Sequence, residues 1–209
     1  METTLIVRIG FASDPFDNPQ TWTVITGDVL AINIDRGRQH ELDRMEAGVA
    51  TILLKNLSNQ YWPGNTGSAY SPNIKPGKCI NIRATYNAIT YDLFTGYIEA
   101  WQPSWLKQGG IAPIMQVIAA DSLKNLARLE LSDAVGYSAE LSGTRIGNVL
   151  DDLALPVALR DLDAGQSTMM ATGALASENA LAHLLYVQES ERGILFVAPD
   201  GTITFHDRH

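Results

Sequence analysis

From Leu5 to Ala119 the chain is a succession of short apolar or alternating runs, cut by Gly, Pro and Asn, with no helical periodicity between them. That punctuation constrains the fold more than any other feature, because strands joined by short turns pair with their neighbours as antiparallel sheet. Its centre is the stretch Asp35 to Trp105. Leu5–Phe11, Thr21–Thr26, Val29–Ile34, Val49–Leu57, Lys78–Tyr86, Ile89–Trp101 and Ile111–Ala119 read as strands. Leu30, Ile32 and Ile34 fall on one face by alternation. Pro15, Asn18 and Pro19 make 12–20 a loop. Gly96 marks a bulge in the sixth run.

The period changes at Asp121. Leu123, Leu126 and Leu129 stand at helical spacing behind Asp121 as N-cap, and Ile146, Val149, Leu150 and Leu153 form a stripe on a second helix ended by Pro156. Ser132–Ser142, small and polar, reads as a linker. Ser177–Glu191 is the strongest helix, with Ser177 as cap and Gly193 as stop. Ile194–Ala198 and Thr202–His206 flank Pro199-Asp200-Gly201, a hairpin signal. The expectation is an α+β, mainly β chain: an antiparallel β-barrel or sandwich over residues 1–130, then a smaller α/β domain over 131–209 with two helices and a terminal β-hairpin packed on the second helix.

Composition excludes several function classes. Hydrophobic residues make up 45% of the 209, so a core can be buried. Fifteen Lys and Arg against 23 Asp and Glu, net −8, argue against a general nucleic-acid binder. No apolar run is long enough to span a bilayer, and no secretory signal is visible at Met1–Leu5. One cysteine, Cys79, rules out an internal disulfide and reads as a small buried residue.

Catalytic chemistry is not visible. His206-Asp207-Arg208-His209 is a polar strand end rather than a metal cluster, because Arg208 repels a cation. Asp151 and Asp152 are adjacent and diverge on a helix, which disfavours shared acid–base work. No phosphate loop, catalytic triad order or zinc motif occurs. The chain reads as a non-enzyme with no cofactor and no metal.

Two segments are candidates for interaction. Arg36, Arg38, Glu41 and Arg44 lie on a short, turn-rich connection carrying both charge signs, which suits an oligomer interface; the competing reading is a solvated loop with local ion pairs. The long loop Ser58–Lys75 needs buried anchors, and Tyr61 and Trp62 are assigned to stapling it. An exposed Trp and Tyr cluster there would instead favour a binding module.

The ordered combination Arg36-Gly37-Arg38, Glu41–Arg44, Glu46–Gly48, Asn56, Pro72-Asn73, Pro76-Gly77, Ile82–Ala84 and Leu93–Tyr97 resembles the N-terminal part of siphophage and prophage minor tail proteins of the baseplate-hub or tail-tip kind, including the N-terminal region of tail-associated lysins. Arg145–Leu150, Arg160–Ser167, Glu189–Val197 and Asp200-Gly201 extend the resemblance over nearly the whole chain. It implies a structural component of the tail tip, assembled in the host cytoplasm into the virion. The component self-assembles into a ring closing the tail tube, a homotrimer in preference to a homohexamer, beside the distal tail and tape measure proteins. The alternative is a receptor- or carbohydrate-binding module of the tip. In the family more β structure follows the equivalent of Phe205–His209, so a short member, a fragment or a truncated chain is expected.

Overall fold

The computed structural model describes residues 3–38, 45–106, 112–132, 136–175 and 177–208. Contacts divide the chain into two compact units, Met1–Arg36 with Gly48–Asp121, and Gly37–Ala47 with Ser122–His209. The division after Asp121 coincides with the change of period, and the segment 37–47 groups with the second unit.

The first unit holds β1 (Thr4–Ile9), β2 (Thr23–Val24), β3 (Val29–Gly37), β4 (Glu46–Lys55), β5 (Cys79–Tyr86), β6 (Ile89–Leu106) and β7 (Ala112–Ala120). They form one sheet in the order β2-β1-β5-β6-β7-β4-β3. The pairs β1–β2, β1–β5, β5–β6, β6–β7 and β4–β7 are antiparallel. Alternation puts Ala50, Ile52 and Leu54 of β4, Val7 and Ile9 of β1, Ile80 and Ile82 of β5, and Met115, Val117 and Ala119 of β7 into one core. Val29, Ile32 and Ile34 of β3 pack on the same cluster. The sheet is therefore coiled enough for strands far apart in its order to share a core. Leu30, assigned to the same face, is 43% exposed.

Two local readings need correction. Of Thr21–Thr26 only Thr23–Val24 is strand, and a 3-10 turn follows at Thr26–Asp28. The Thr26 hydroxyl accepts from Val7 N at 2.9 Å, taking the place of a ladder acceptor. The bulges of β6 are not at Gly96 but at Leu93 and Glu99, where the register shifts. Gly96 is needed for close approach, since a Cβ there would stand 2.5 Å from Ala120 O and 2.6 Å from the Phe94 ring. The β5–β6 turn, Asn87-Ala88, has φ of +51° and +62°, the twist a two-residue hairpin requires.

The second unit holds α1 (Ser122–Leu126), β8 (Glu140–Leu141), α2 (Ser142–Asp152), β9 (Arg160–Leu162), β10 (Thr168–Met169), α3 (Ala180–Glu191), β11 (Ile194–Val197) and β12 (Ile203–His206). β11 and β12 form the expected hairpin, and β9 joins β12 in parallel. Ile146, Val149 and Leu150 of α2 and Leu184 and Val187 of α3 are buried. The cap of α3 is Asn179, which accepts from Ala182 N at 3.0 Å, and not Ser177, whose φ is +58°. Its left-handed C-terminal residue is Arg192, while Gly193 gives room for His206 O of the hairpin.

The expected linker 132–142 is, over its described residues from 136 on, part of the packed unit. Arg145, 1% exposed, organises it. Its guanidinium donates to Glu140 Oε1 at 2.6 Å, Ser138 O at 2.8 Å and Met170 O at 2.9 Å, and lies over the Tyr137 ring. Small polar residues here satisfy a buried cation rather than supply flexibility. The fold is thus α+β and mainly β, with its helices in the second unit.

Candidate functional site

The charged connection begins at the end of β3. Arg36 donates from Nη1 to Leu93 O at 3.0 Å, the carbonyl of the bulged residue. Its side chain also closes over Gly48, whose added Cβ would stand 3.0 Å from Arg36 Cγ. Gly48 N in turn donates to Asp121 Oδ2 at 2.6 Å. Arg36 is therefore tied down inside the first unit, whereas Arg38 is exposed. Glu41 and Arg44 lie outside the described residues, as does His40.

The loop between β4 and β5 has a regularity that composition alone conceals. Asn59 N donates to Asn56 O, Trp62 N to Asn59 O, Asn65 N to Trp62 O, Ser68 N to Asn65 O and Ser71 N to Ser68 O, all at 2.9–3.1 Å. Successive turns share their end residues at a spacing of three. Five of the six end residues, all but Trp62, are Asn or Ser, residues suited to turn starts, and Asn59 takes a left-handed φ of +54°. That spacing of Asn56, Asn59, Asn65, Ser68 and Ser71 was the signal by which sequence reasoning could have found it.

The two assigned anchors have different surroundings. Tyr61 is fully buried and donates from its hydroxyl to Asp28 Oδ2 at 2.7 Å, while its amide donates to Asn56 Oδ1 at 2.9 Å. Burial, reinforced by the Asp28 bond, pushes its phenol well above the usual range. Trp62 is 42% exposed, so the expectation that it is an inward staple does not hold: the turn at Asn59–Trp62 points the two neighbours in different directions. Tyr70 and Trp101 supply the remaining stapling. The Tyr61 and Tyr70 rings stack at 5.4 Å, Phe11 and Tyr70 at 4.4 Å, and Trp101 Nε1 donates to Lys75 O at 3.2 Å. Sequence reasoning missed Tyr70, Phe11 and Trp101 because they come from three segments that meet only in the fold.

In the second unit several carboxylates have partners within the fold. Glu191, 0% exposed, accepts at Oε2 from Ser142 Oγ at 2.7 Å, Ser167 N at 2.6 Å and Gln166 N at 3.1 Å. Burial alone would raise its pKa; the three hydrogen bonds outweigh burial and hold the carboxyl at about 2. His206 Nδ1 stands 3.2 Å from Asp163 Oδ2, Asp151 pairs with Arg160 and Asp152 accepts from Tyr137. Among the described residues no group of three or more His, Cys, Asp or Glu is placed to hold a metal ion, and no helix is long and apolar enough to cross a membrane.

No family model and no curated protein matches the sequence. Solved structures do. The 43 kDa tail protein of prophage MuSo2 from Shewanella oneidensis superposes with a TM-score of 0.59 at 14% identity, over 98% of this chain and 54% of its own. The tail protein from Neisseria meningitidis MC58 gives 0.56 at 10% identity, over 98% and 50%. The chain has the fold of phage tail proteins. The same tail-protein fold relates it to the E. coli c3393 protein, a type VI secretion component described as similar to the T4 tail proteins gp27 and gp5, with a TM-score of 0.53 at 15% identity over 86% of this chain and 46% of that one. The chain spans about half the length of these tail-protein structures.

Proposed function

We propose that this chain is a structural, non-catalytic component of a phage tail tip or baseplate hub, assembling with copies of itself into a ring that closes the tail tube. The observation that supports the reading is the shared fold over 98% of the chain with two tail proteins, one of a Shewanella prophage and one from Neisseria meningitidis. A homotrimer is favoured over a homohexamer, with distal tail and tape measure proteins as neighbours and the virion tail tip as destination after assembly in the host cytoplasm.

In a ring each copy offers two different surfaces, and Arg is favoured at the centre of such contacts. The proposed contact comprises Arg36, Arg38, Glu41 and Arg44. The Arg36 bond to Leu93 O supports a division of labour: Arg36 holds the end of β3, and Arg38, exposed beyond it, meets the neighbour.

Light scattering coupled to size exclusion tests the reading. A stable oligomer is expected, whereas an isolated binding module predicts a monomer. Arg38→Glu with Arg44→Glu should then dissociate the assembly in analytical ultracentrifugation at moderate salt. A folded double variant with unchanged mass would remove this loop from the interface, since solvated ion pairs contribute little.

A further inference from the structure

The first unit carries a groove of about 340 Å³ where the first turns of the β4–β5 loop face the β6–β7 pair. Its apolar walls are Trp62, Pro103, Pro113 and Ile114, and its polar groups are Asn56, Asn59 and Ser104. None of these is charged. Ligand pockets run from about 300 to 1,000 Å³ and combine apolar walls with a few placed polar groups, so this one suits a small ring rather than an extended peptide.

Asn56 says what the ligand must provide. It is 2% exposed, and its carboxamide orientation is set because Oδ1 accepts the Tyr61 amide at 2.9 Å. Its Nδ2 then points away from that amide and finds no partner among the described residues. It is not sealed from solvent, so water can reach it in the free protein; a hydrocarbon ligand covering it would strip that water at a cost, and one bearing acceptor oxygens is favoured. Beside it Trp62 offers a half-exposed ring. Gly64 lies against the indole edge, where a Cβ would come within 2.6 Å of Nε1, so the ring is held in place by the next turn. An aromatic face with a polar N–H rim, next to a carboxamide donor, is suited to the C–H face and hydroxyls of a sugar ring. The lack of charge in the groove and the chain's net charge of −8 favour a neutral ligand over an anionic one.

We propose that the Trp62–Asn56 groove is a binding site for a neutral saccharide, with Trp62 as the stacking platform and Asn56 Nδ2 as the orienting donor. The proposal does not rest on ring assembly, and a monomeric chain would bind equally.

The test is titration of the full chain with N-acetylglucosamine tetramer and with maltoheptaose, read by calorimetry and by tryptophan fluorescence. At least one should bind with a Kd of about 1 mM or tighter, and Trp62→Ala should weaken it about tenfold or more. Gly64→Ala, which displaces the indole, should weaken it as well, while Leu57→Ala, exposed nearby but not in the groove wall, should leave it unchanged. Circular dichroism confirms that each variant is folded. Failure of both sugars to bind at about 10 mM, unchanged affinity in Trp62→Ala, or tighter binding of a sulfated oligosaccharide or a proline-rich peptide at Trp62 would each overturn the assignment.

Discussion

Removing the Glu191 carboxylate probes the second unit at its most connected point. Ser142 of α2, the 166–167 backbone before β10 and the end of α3 all converge on Oε2, and Arg208 Nε stands 3.5 Å from Oε1. Glu191→Ala leaves the Ser142 hydroxyl, itself 0% exposed, and the partly buried Ser167 amide without an acceptor; Gln166 is exposed, so water replaces its bond. Two unpaired donors, one buried and one partly buried, at about 1–3 kcal/mol each give an expected loss of about 2–6 kcal/mol. Glu191→Gln keeps one acceptor oxygen and should lose about 1–2 kcal/mol. The carboxyl also sets a pH dependence. Its folded pKa, about 2, lies below the ordinary 4.5, so its contribution is fully present above about pH 4.5 and is lost as pH falls toward 2. Urea unfolding followed by circular dichroism at pH 7 and at about pH 3 measures both effects. The gap between wild type and Glu191→Gln should shrink at the lower pH. A Glu191→Ala variant within about 1 kcal/mol of wild type, or a gap independent of pH, would refute the reasoning.

Gly165 has φ of +82°, and a Cβ there would meet the Ser142 side chain and stand 2.9 Å from Gly143 N, so Gly165→Ala should cost about 2–4 kcal/mol in the same unfolding assay. Cys79 is 4% exposed and burial pushes its thiol up to about 12, against a smaller opposing pull from Arg8. A thiol reagent at about pH 8 should therefore label the native protein no faster than it unfolds, and stoichiometric labelling before unfolding would contradict that burial.

The strand pattern and its turns were legible in the sequence because alternation and turn chemistry are local. Ile52 and Leu54 must share a face whatever they pack on, and Asn87-Ala88 and Asp200-Gly201 must turn. The change of period at Asp121 likewise announced helices before any contact was known. The order β2-β1-β5-β6-β7-β4-β3 was not legible, since it depends on which distant strands bury each other's apolar faces. The parallel seat of β9 beside β12 was equally hidden, because three residues carry too little pattern to name their partner.

The same division holds for the candidate sites. Sequence alone marked Tyr61 and Trp62 as the aromatics of a long loop, and Glu191 and Ser167 as parts of separate motifs. Only tertiary structure sent Tyr61 inward to Asp28 and left Trp62 beside Asn56, because the spacing-of-three turns orient neighbours differently and no local preference distinguishes the two rings. Only tertiary structure joined Glu191 to Ser142, 49 residues away, because hydrogen-bond partners of a buried carboxylate are chosen by packing rather than by proximity in the chain.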